Sequence, residues 1–415
     1  MKTLLFVLLI LIAFNSTAQW AEIQSEGIGS IELNTIYFIN EDTGYVEGRY
    51  RQNEEWINSY FKTMDGGANW TKTSIEGGEG NIYFVNDTLG FVGGFPVQKT
   101  IDGGINWTSY ETAPFGDRIQ FVDDSIGFIL SVSNLFKTID AGTSWTQLEV
   151  NPSTGLPHNM HFINENIGYL VGYSISQHKA LILKTIDGGI NWTQQIAGNL
   201  PLFDVYFTDI NTGYAVGGGL VAIPHAYDYK SVIFKTIDGG VNWIQQYSKT
   251  PEELQSVVFT DAETGYAVGG LFGTILKTVN GGTNWIHQES QTFSYLKSVY
   301  FVNSEIGYIA GIDGVILKTT NGGDTLAVFE KGYNDKCRIY PNPASQKIII
   351  DFENPNYSLF ELAIFNNLGI KVLKLNSITG EIIEIDLNSF TQGIYYYNLK
   401  SSKKGIRYSG KFIKN

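Results

Sequence analysis

The chain has 415 residues, a formal net charge of −13 and 43% hydrophobic residues, enough for a large folded core. Its one cysteine, Cys337, excludes an internal disulfide. Residues 3–336 carry 17 Lys or Arg against 35 Asp or Glu, a net of −18, whereas residues 337–415 carry 10 against 6, a net of +4. So acidic a main part repels phosphate backbones and disfavours nucleic-acid binding.

The chain begins with the pattern of an export signal. Lys2 gives the positive start, residues 4–14 are apolar, and residues 16–18 are small, as a cleavage site requires. We expect residues 1–18 to be a signal peptide and the mature protein to begin near Gln19. The alternative is a membrane anchor, but about eleven apolar residues are too few for a permanent span. No later stretch predicts a transmembrane segment.

One phrase recurs seven times after this leader, and it predicts the fold. The copies are KTMDGGANW (62–70), KTIDGGINW (99–107), KTIDAGTSW (137–145), KTIDGGINW (184–192), KTIDGGVNW (235–243), KTVNGGTNW (277–285) and KTTNGGDTL (318–326). A Gly-aromatic pair precedes each copy, as in Gly44-Tyr45. The spacings between equivalent Asp or Asn residues are 37, 38, 47, 51, 42 and 41, which suit four short strands per copy. We therefore predict an all-β chain in which residues 19–330 form a seven-bladed β-propeller.

The ends of the repeat array indicate how the ring closes. Trp20 precedes the first unit, whereas the seventh copy ends in Leu326 where the others have Trp. Residues 20–23 could therefore supply the outer strand of the last blade, which is the arrangement we favour. Alternatively, residues 326–329 fill that place themselves. Either closure removes exposed sheet edges that an open array would keep.

The Thr-x-Asp-x-Gly-x-x-Trp pattern resembles the Asp-box of sialidases and related propellers. With Gly-Tyr-x-x-Gly upstream, it is most similar to the photosystem II assembly-factor-like propellers. Thr and Asp oxygens can accept backbone N–H groups of the turn, Gly tolerates positive φ, and Trp buries a large face. Since Asn replaces Asp in two copies, we interpret the boxes as structural. The box positions are Asp65, Asp102, Asp140, Asp187, Asp238, Asn280 and Asn321, with Trp70, Trp107, Trp145, Trp192, Trp243 and Trp285.

A different pattern follows a linker at residues 331–338. Residues 339–415 contain short alternating strands that predict a small Ig-like β-sandwich. Its motifs are YPNPA (340–344), IFNNLGIKV (364–372), GIYYY (393–397) and GKFIK (410–414). They resemble the C-terminal sorting domain of the type IX secretion system of Bacteroidetes. The resemblance implies passage through the periplasm, recognition by the type IX secretion machinery, and release from or attachment to the outer surface. The alternative is an accessory binding sandwich.

Variation in unit length points to a binding surface. In a four-stranded meander the boxes lie on one face, and the longest inserts, in units one, four and five, lie on the other. Such loops commonly carry binding residues, and exposed aromatic residues suit a glycan or protein ligand. We predict that ligand-binding residues on that face include Trp56, Tyr60, Tyr173, Tyr227, Tyr229 and Arg118. The alternative is that these are ordinary packed loop residues.

The sequence supports a catalytic or metal site less than it supports a binding surface. A sialidase needs three clustered arginines, whereas the repeat region has three in all, two of them on one insert: Arg49, Arg51 and Arg118. Glycosidases that use two carboxylates about 5–10 Å apart are the alternative. The candidate carboxylates are Asp117, Asp204, Glu252 and Glu253. The five scattered histidines predict no metal site, and we expect no cofactor.

These patterns together predict a secreted or cell-surface recognition or adhesion propeller without catalytic residues. The photosystem resemblance implies the fold alone here, because that family's role presumes a photosynthetic host and basic docking residues. The alternative function is a polysaccharide-acting glycoside hydrolase on the same scaffold.

Overall fold

The computed structural model describes the chain in fifteen stretches. These are residues 19–23, 27–75, 80–109, 114–131, 134–150, 155–174, 176–195, 197–223, 226–249, 252–270, 273–324, 337–352, 359–366, 371–401 and 407–415. The described residues divide into two compact units, 19–324 and 337–415. The predicted signal peptide and most of the predicted linker lie outside these stretches.

The strands of the first unit are short and follow one another in antiparallel hairpins. In chain order they are β1 (Ala21–Glu22); β2 (Glu32–Phe38), β3 (Gly44–Gln52), β4 (Glu55–Thr63) and β5 (Thr71–Lys72); β6 (Ile82–Phe84), β7 (Gly90–Val92), β8 (Gln98–Thr100) and β9 (Thr108–Ser109); β10 (Arg118–Phe121), β11 (Gly127–Ser131), β12 (Asn134–Thr138) and β13 (Thr146–Glu149); β14 (Leu156–Phe162), β15 (Gly168–Ser174), β16 (Lys179–Thr185) and β17 (Thr193–Gln195); β18 (Leu202–Phe207), β19 (Gly213–Ile223), β20 (Ala226–Thr236) and β21 (Ile244–Lys249); β22 (Leu254–Phe259), β23 (Thr264–Gly269), β24 (Thr274–Val279) and β25 (Ile286–Gln288); and β26 (Leu296–Phe301), β27 (Gly307–Gly311) and β28 (Ile316–Thr319). A single 3₁₀ turn, Ile312–Gly314, lies between β27 and β28.

These strands form seven four-stranded sheets among the described residues. Six sheets take four consecutive strands each, from β2–β5 (blade 1) to β22–β25 (blade 6), and the seventh has the order β1-β28-β27-β26 (blade 7). The first strand of each blade is the inner one, and it packs against the inner strands of both neighbouring blades, with β26 against β2. The predicted all-β fold with a seven-bladed propeller is therefore confirmed.

The ring is closed by the beginning of the described chain. Strand β1 pairs with β28, with Ala21 opposite Lys318 and Glu22 opposite Leu317. The backbone N–H of Ile23 extends the pairing by donating to the carbonyl of Ile316 at 3.0 Å. Of the two arrangements expected from the sequence, the first is thus the one observed. Residues 326–329, the alternative, lie outside the described residues.

The repeated Gly-aromatic pair is explained by a close contact within each sheet. In blade 1, Gly44 lies opposite Phe38, the last residue of the inner strand. A Cβ atom at Gly44 would lie 2.5 Å from the ring of Phe38, so a larger residue would displace it. The same contact recurs in the other six blades, as at Gly307 beside Phe301. Glycine therefore lets the inner-strand Phe lie flat against its own sheet.

Aromatic side chains also fill the junctions between blades. Tyr308 of blade 7 stacks on Phe38 of blade 1 with ring centroids 3.7 Å apart. Trp70 then meets Phe38 edge-on at 6.2 Å. In blade 7, where the box lacks Trp, Trp20 takes that place: it is fully buried and meets Phe301 edge-on at 5.8 Å. Such edge-to-face pairs contribute about 0.5–1.5 kcal/mol beyond area burial.

The second unit has seven described strands in two sheets. They are β29 (Cys337–Tyr340), β30 (Lys347–Phe352), β31 (Phe360–Phe365), β32 (Lys371–Ile378), β33 (Ile382–Asp386), β34 (Gly393–Ser401) and β35 (Arg407–Lys414). The sheet orders are β29-β30-β33 and β32-β31-β34-β35. Alternate residues of both sheets, including Ile350, Phe352 and Leu362, share one hydrophobic cluster. This is the small β-sandwich that the alternating pattern predicted.

Candidate functional site

Each box forms a turn whose polar side chains bond to the turn itself. In the first box, the Thr63 hydroxyl donates to Asp65 at 2.8 Å and accepts from the backbone N–H of Gly67 at 2.9 Å. The two carboxylate oxygens of Asp65 accept from the backbone and side-chain nitrogens of Asn69 at 2.9 and 2.8 Å. Gly66 and Gly67 have φ of 66° and 91°, which glycine adopts without strain.

Ionised carboxylates suit this turn. Hydrogen bonds from the Asn69 side chain and backbone lower the pKa of Asp65 to about 2. Bonds from the Asn106 backbone and side chain do the same for the pKa of Asp102, also to about 2. In the sixth box, Asn280 keeps the acceptor role toward Thr278 and Asn284 at 3.0 and 2.9 Å. A neutral amide thus replaces the carboxylate without changing the turn, which is what a structural role predicts.

A further bond pattern, not foreseen from the sequence, joins six of the seven boxes to the preceding blade. Nζ of Lys184, the Lys of the fourth box, donates to the carbonyl of Gly239 in the next box at 2.7 Å, and the Tyr169 hydroxyl donates to the same oxygen at 2.8 Å. We call this pair of bonds the junction latch. It recurs with both donors from Lys62 and Tyr45, Lys235 and Tyr214, Lys277 and Tyr266, and Lys318 and Tyr308.

Two junctions carry incomplete latches because Phe replaces Tyr. In blade 2, where Phe91 has no hydroxyl, Lys99 alone donates to the carbonyl of Ala141 at 3.1 Å. In blade 3, where Phe128 holds the position, Lys137 instead donates to the carbonyl of Glu165 at 3.1 Å. The box lysines, with the tyrosines where they are present, thus join neighbouring blades.

The opposite side of the ring carries the ends of the inner strands and the loops that lead into them. We call it the loop face, and the side with the boxes the box face. Around the axis, polar residues of neighbouring inner strands bond to one another. Asp204 accepts from Asn159 Nδ2 at 2.7 Å, from Ser256 Oγ at 3.1 Å and from the backbone N–H of Val257 at 2.9 Å. Burial raises the pKa of Asp204 to about 6, although these bonds and the charge of Arg118 oppose the rise.

Arg118 lies near this network with a guanidinium that is only weakly engaged. Its Nη1 donates to the carbonyl of Asp117 at 3.4 Å, and its charge acts on Asp204 and His158. His158 stacks on Phe203 with ring centroids 5.4 Å apart. Burial lowers the pKa of His158, and the charge of Arg118 lowers it further, so the ring is neutral at pH 7. The Arg118 cation and the stacked rings of His158 and Phe203 therefore lie near the axis and could contact a ligand.

Two exposed aromatic rings lie on the same face, in the loops next to β10. Phe95 is 73% exposed and Phe115 is 42% exposed, and their centroids lie 6.5 Å apart in an edge-on pair. An antiparallel bridge between Gly94 and Gly116 holds the two loops together. Insert length did not predict this pair, because Phe95 lies in a short loop without an insert.

The residues predicted to bind a ligand are spread over the loop face. Trp56 is exposed in blade 1, with the Arg49 guanidinium 4.5 Å from its ring centroid. Tyr173 and Tyr229 are half-buried in blades 4 and 5. Tyr227 lies in β20 opposite Ala222, and its side chain lies outside the described part. Blade 1 is separated from blades 4 and 5 by two blades on either side, so these residues do not form one cluster.

For Tyr60 the expectation of an exposed loop aromatic is wrong. Its side chain is 1% exposed, and its hydroxyl donates to the carbonyl of Gly80 in the next blade at 3.2 Å. The reason is that β4 continues through the insert and turns Tyr60 into the junction between blades 1 and 2, where it packs with Tyr45 and Ile82.

The candidate carboxylates of the hydrolase alternative are occupied by protein groups. Glu252 is buried, accepts from the Tyr247 hydroxyl at 2.8 Å, and lies 3.3 Å from both Lys249 and His287. Glu253 accepts from the hydroxyl of Tyr295. These contacts, like those of Asp204, bind three of the four candidate carboxylates to neighbouring protein groups.

Within the fifteen described stretches, no three His, Cys, Asp or Glu side chains come together as metal ligands would. The same stretches contain no helix with the length and apolar character needed to span a bilayer.

Comparisons with known proteins agree with this architecture. Residues 338–415 match the family described as the secretion system C-terminal sorting domain, and residues 241–331 match the photosynthesis system II assembly factor YCF48. Two YCF48 structures, one bound to a D1 peptide and one from Cyanidioschyzon merolae, are each 17% identical with a TM-score of 0.55. They cover 73% and 72% of this chain, and 97% and 98% of their own lengths are matched.

A virginiamycin B lyase from Staphylococcus aureus, solved in a catalytically inactive form with quinupristin, also superposes. It is 11% identical with a TM-score of 0.54, over 72% of this chain and 98% of the lyase. No curated protein sequence matches the chain. At such identities the likeness to solved structures shows the fold alone. The sorting-domain match indicates export through the type IX secretion system to the cell surface or beyond. The chain thus joins a seven-bladed propeller similar to YCF48 to a C-terminal segment that matches the secretion system C-terminal sorting domain.

Proposed function

We propose that this protein is a secreted or surface-attached recognition propeller that binds a glycan or protein ligand on its loop face without catalysing a reaction. Removal of a signal peptide at residues 1–18, a propeller over 19–330 and a sorting domain over 339–415 are parts of the same proposal. The observation that carries it is the exposed Phe95–Phe115 pair, with Arg118 three residues after Phe115 at the start of β10. Exposed rings next to an uncommitted guanidinium are typical of ligand recognition, because rings bind flat apolar faces and Arg binds carboxylates or hydroxyls.

The proposed site lies on the loop face between blades 2 and 5. Phe95 and Phe115 supply the rings, and Arg118, three residues after Phe115, supplies the charge. His158 stacked on Phe203 adds a second flat surface toward the axis. The box carboxylates are bonded within their turns, and Asp204, Glu252 and Glu253 accept bonds from neighbouring side chains. This distribution supports binding over hydrolysis.

The test is a glycan array read beside a polysaccharide hydrolysis screen, on the same full-length mature protein. We expect binding without sugar release, and a loss of about tenfold or more in affinity for Arg118→Ala and for the double variant Phe95→Ala with Phe115→Ala. The matched controls are Arg51→Ala and Phe293→Ala, which remove an exposed arginine and an exposed phenylalanine elsewhere in the same unit. Sugar release that one carboxylate substitution abolishes would overturn the proposal. So would equal losses in the control variants.

A further inference from the structure

The box face exposes aliphatic side chains in a regular arrangement. Each box has one variable residue between Thr and Asp or Asn, and a second one after the two small residues. At the first position the exposed aliphatic residues are Met64, Ile101, Ile139, Ile186, Ile237 and Val279, and at the second they are Ile105, Ile190 and Val241. Their exposed fractions run from 58% at Val279 to 75% at Ile101. Soluble proteins rarely expose so many large aliphatic side chains on one side, and such patches mark interaction surfaces.

The fold does not require aliphatic residues at these positions. The seventh box carries the exposed Thr320 at the first position, and its turn keeps the bonds from Thr319 to Asn321 at 2.9 Å and from Gly323 to Thr319 at 2.7 Å. The sixth box has the exposed Thr283 at the second position with the same turn geometry. A polar residue therefore serves the turn equally well, and the aliphatic side chains need another explanation.

Neighbouring boxes bring these positions together. Met64 of the first box and Ile105 of the second line one groove of about 370 Å³, whose other walls include Asn69, Lys72 and Trp107. By the equivalence of the blades, Ile139 and Ile190 stand in the same relation, as do Ile186 and Val241. Six of the nine exposed aliphatic side chains thus belong to pairs across three junctions, one seen as a groove and two expected by equivalence, while Ile101, Ile237 and Val279 lie at the same position of the other boxes.

The same face is strongly acidic. Every turn between the first and second strands carries an exposed carboxylate: Glu41, Asp87, Asp123, Glu165, Asp209, Asp261 and Glu305. The box aspartates add five more, and their bonds within the turns keep them ionised at neutral pH. The lysines of the boxes are drawn into the junction latches, so their charges point between blades rather than outward.

We propose that the box face is a docking surface for a protein partner that presents basic side chains together with aliphatic ones. Charge complementarity selects this occupant. The box face of a second copy would bring like charges together, and an anionic bilayer would be repelled. A glycan is disfavoured because sugars stack on aromatic rings, whereas this face offers branched aliphatic groups. This surface is separate from the proposed ligand site, since it lies on the other side of the ring.

The test compares full-length protein with the triple variant Ile101→Thr, Ile139→Thr and Ile186→Thr, which installs the residue that the seventh box already carries. The probe is a synthetic peptide of lysine and leucine, with lysine–serine and glutamate–leucine peptides for comparison. We expect the lysine–leucine peptide to bind about tenfold more tightly than either comparison peptide, and the triple variant to lose about tenfold. Hydrogen exchange should show protection at the boxes and not on the loop face.

The control variant is Leu220→Thr, which removes an exposed aliphatic side chain of the loop face. Equal weakening by Leu220→Thr and by the triple variant would overturn the proposal, because binding would then be unspecific adhesion to an acidic protein. Equal binding of the lysine–serine peptide would also overturn it, as would dimerisation that the triple variant abolishes or binding to anionic vesicles. Thermal unfolding of each variant checks that the propeller is intact.

Discussion

Nζ of Lys318 in blade 7 donates a hydrogen bond to the carbonyl oxygen of Gly66 in blade 1 at 2.8 Å. Tyr308 donates to the same oxygen at 3.1 Å, which makes this a complete junction latch. Burial lowers the pKa of Lys318, while the negative charges of Asp42 and Asp65 favour its charged form. The first and last blades are therefore joined by the same bonds that join blades adjacent in sequence.

Removing the charge at this junction should weaken the whole ring. Lys318→Met keeps most of the side-chain volume but leaves the Gly66 carbonyl with one donor fewer. Because bonds to charged groups contribute about 1.5–3 kcal/mol, we expect a loss of that order in the free energy of unfolding by urea. The control is Lys179→Met, at an exposed position of β16. Equal effects of the two substitutions would contradict the role of the latch.

The two incomplete latches offer the opposite experiment. Phe91→Tyr would place a hydroxyl where Lys99 already donates to the carbonyl of Ala141. We expect it to raise the free energy of unfolding by about 0.5–1.5 kcal/mol, the usual net value of one hydrogen bond. Tyr214→Phe should lower it by a similar amount, because that hydroxyl donates to Gly281 at 2.8 Å. Both are measured by urea unfolding; a stabilised Tyr214→Phe variant would refute the argument.

Closure also depends on Trp20, which stands in for the Trp missing from the seventh box. Its side chain is fully buried against Phe301 and Tyr266. Trp20→Ala should cost about 3–5 kcal/mol, as for other large core residues. Glu22→Ala, two residues later in β1 and exposed, should have little effect. Thermal unfolding with limited proteolysis would measure both, and similar unfolding temperatures for the two variants would rule out closure through Trp20.

The box aspartates predict a particular dependence of stability on pH. Asp65, Asp102 and Asp140 have a pKa of about 2 in the folded protein, below the value of about 3.9 in an unfolded chain. Their contribution is therefore complete above about pH 4 and is lost as the pH falls toward 2. Asp102→Asn should flatten this loss, since an amide does not titrate. Urea unfolding at several pH values checks this; an unchanged slope in the variant would contradict it.

The sequence was sufficient to predict the fold because the same short motifs recur at equivalent positions in every repeat. The Gly-aromatic pair and the box fix the ends of three strands, and Trp20 beside Leu326 identifies the closing strand. The sequence did not predict the junction latch, although Lys stands before Thr in all seven copies. A contact between blades has no fixed sequence separation, and periodicity within one unit does not reveal it.

The candidate site was less predictable. The insert in unit one made Trp56 and Tyr60 candidates. However, the length of an insert does not predict how far a strand continues into it. Strand β4 runs from Glu55 to Thr63 and buries Tyr60 at a junction. The sequence did not predict Phe95, because its loop is short. In the structure its ring centroid lies 6.5 Å from that of Phe115, which makes it a candidate. The exposure of a side chain depends on its contacts with neighbouring blades, and the local sequence does not predict those contacts.

Tyr60 and Trp56, four residues apart in one strand, should therefore respond differently to substitution. Tyr60→Phe removes the bond to the Gly80 carbonyl and should lower the free energy of unfolding by about 1 kcal/mol. Trp56→Ala removes an exposed ring that contacts Arg49 and should change it by no more than about 0.5 kcal/mol. Urea unfolding of the two variants decides the matter. If Trp56→Ala were the more destabilising, then Trp56 would be part of the blade's packing, and a place for it in ligand recognition would lose its basis.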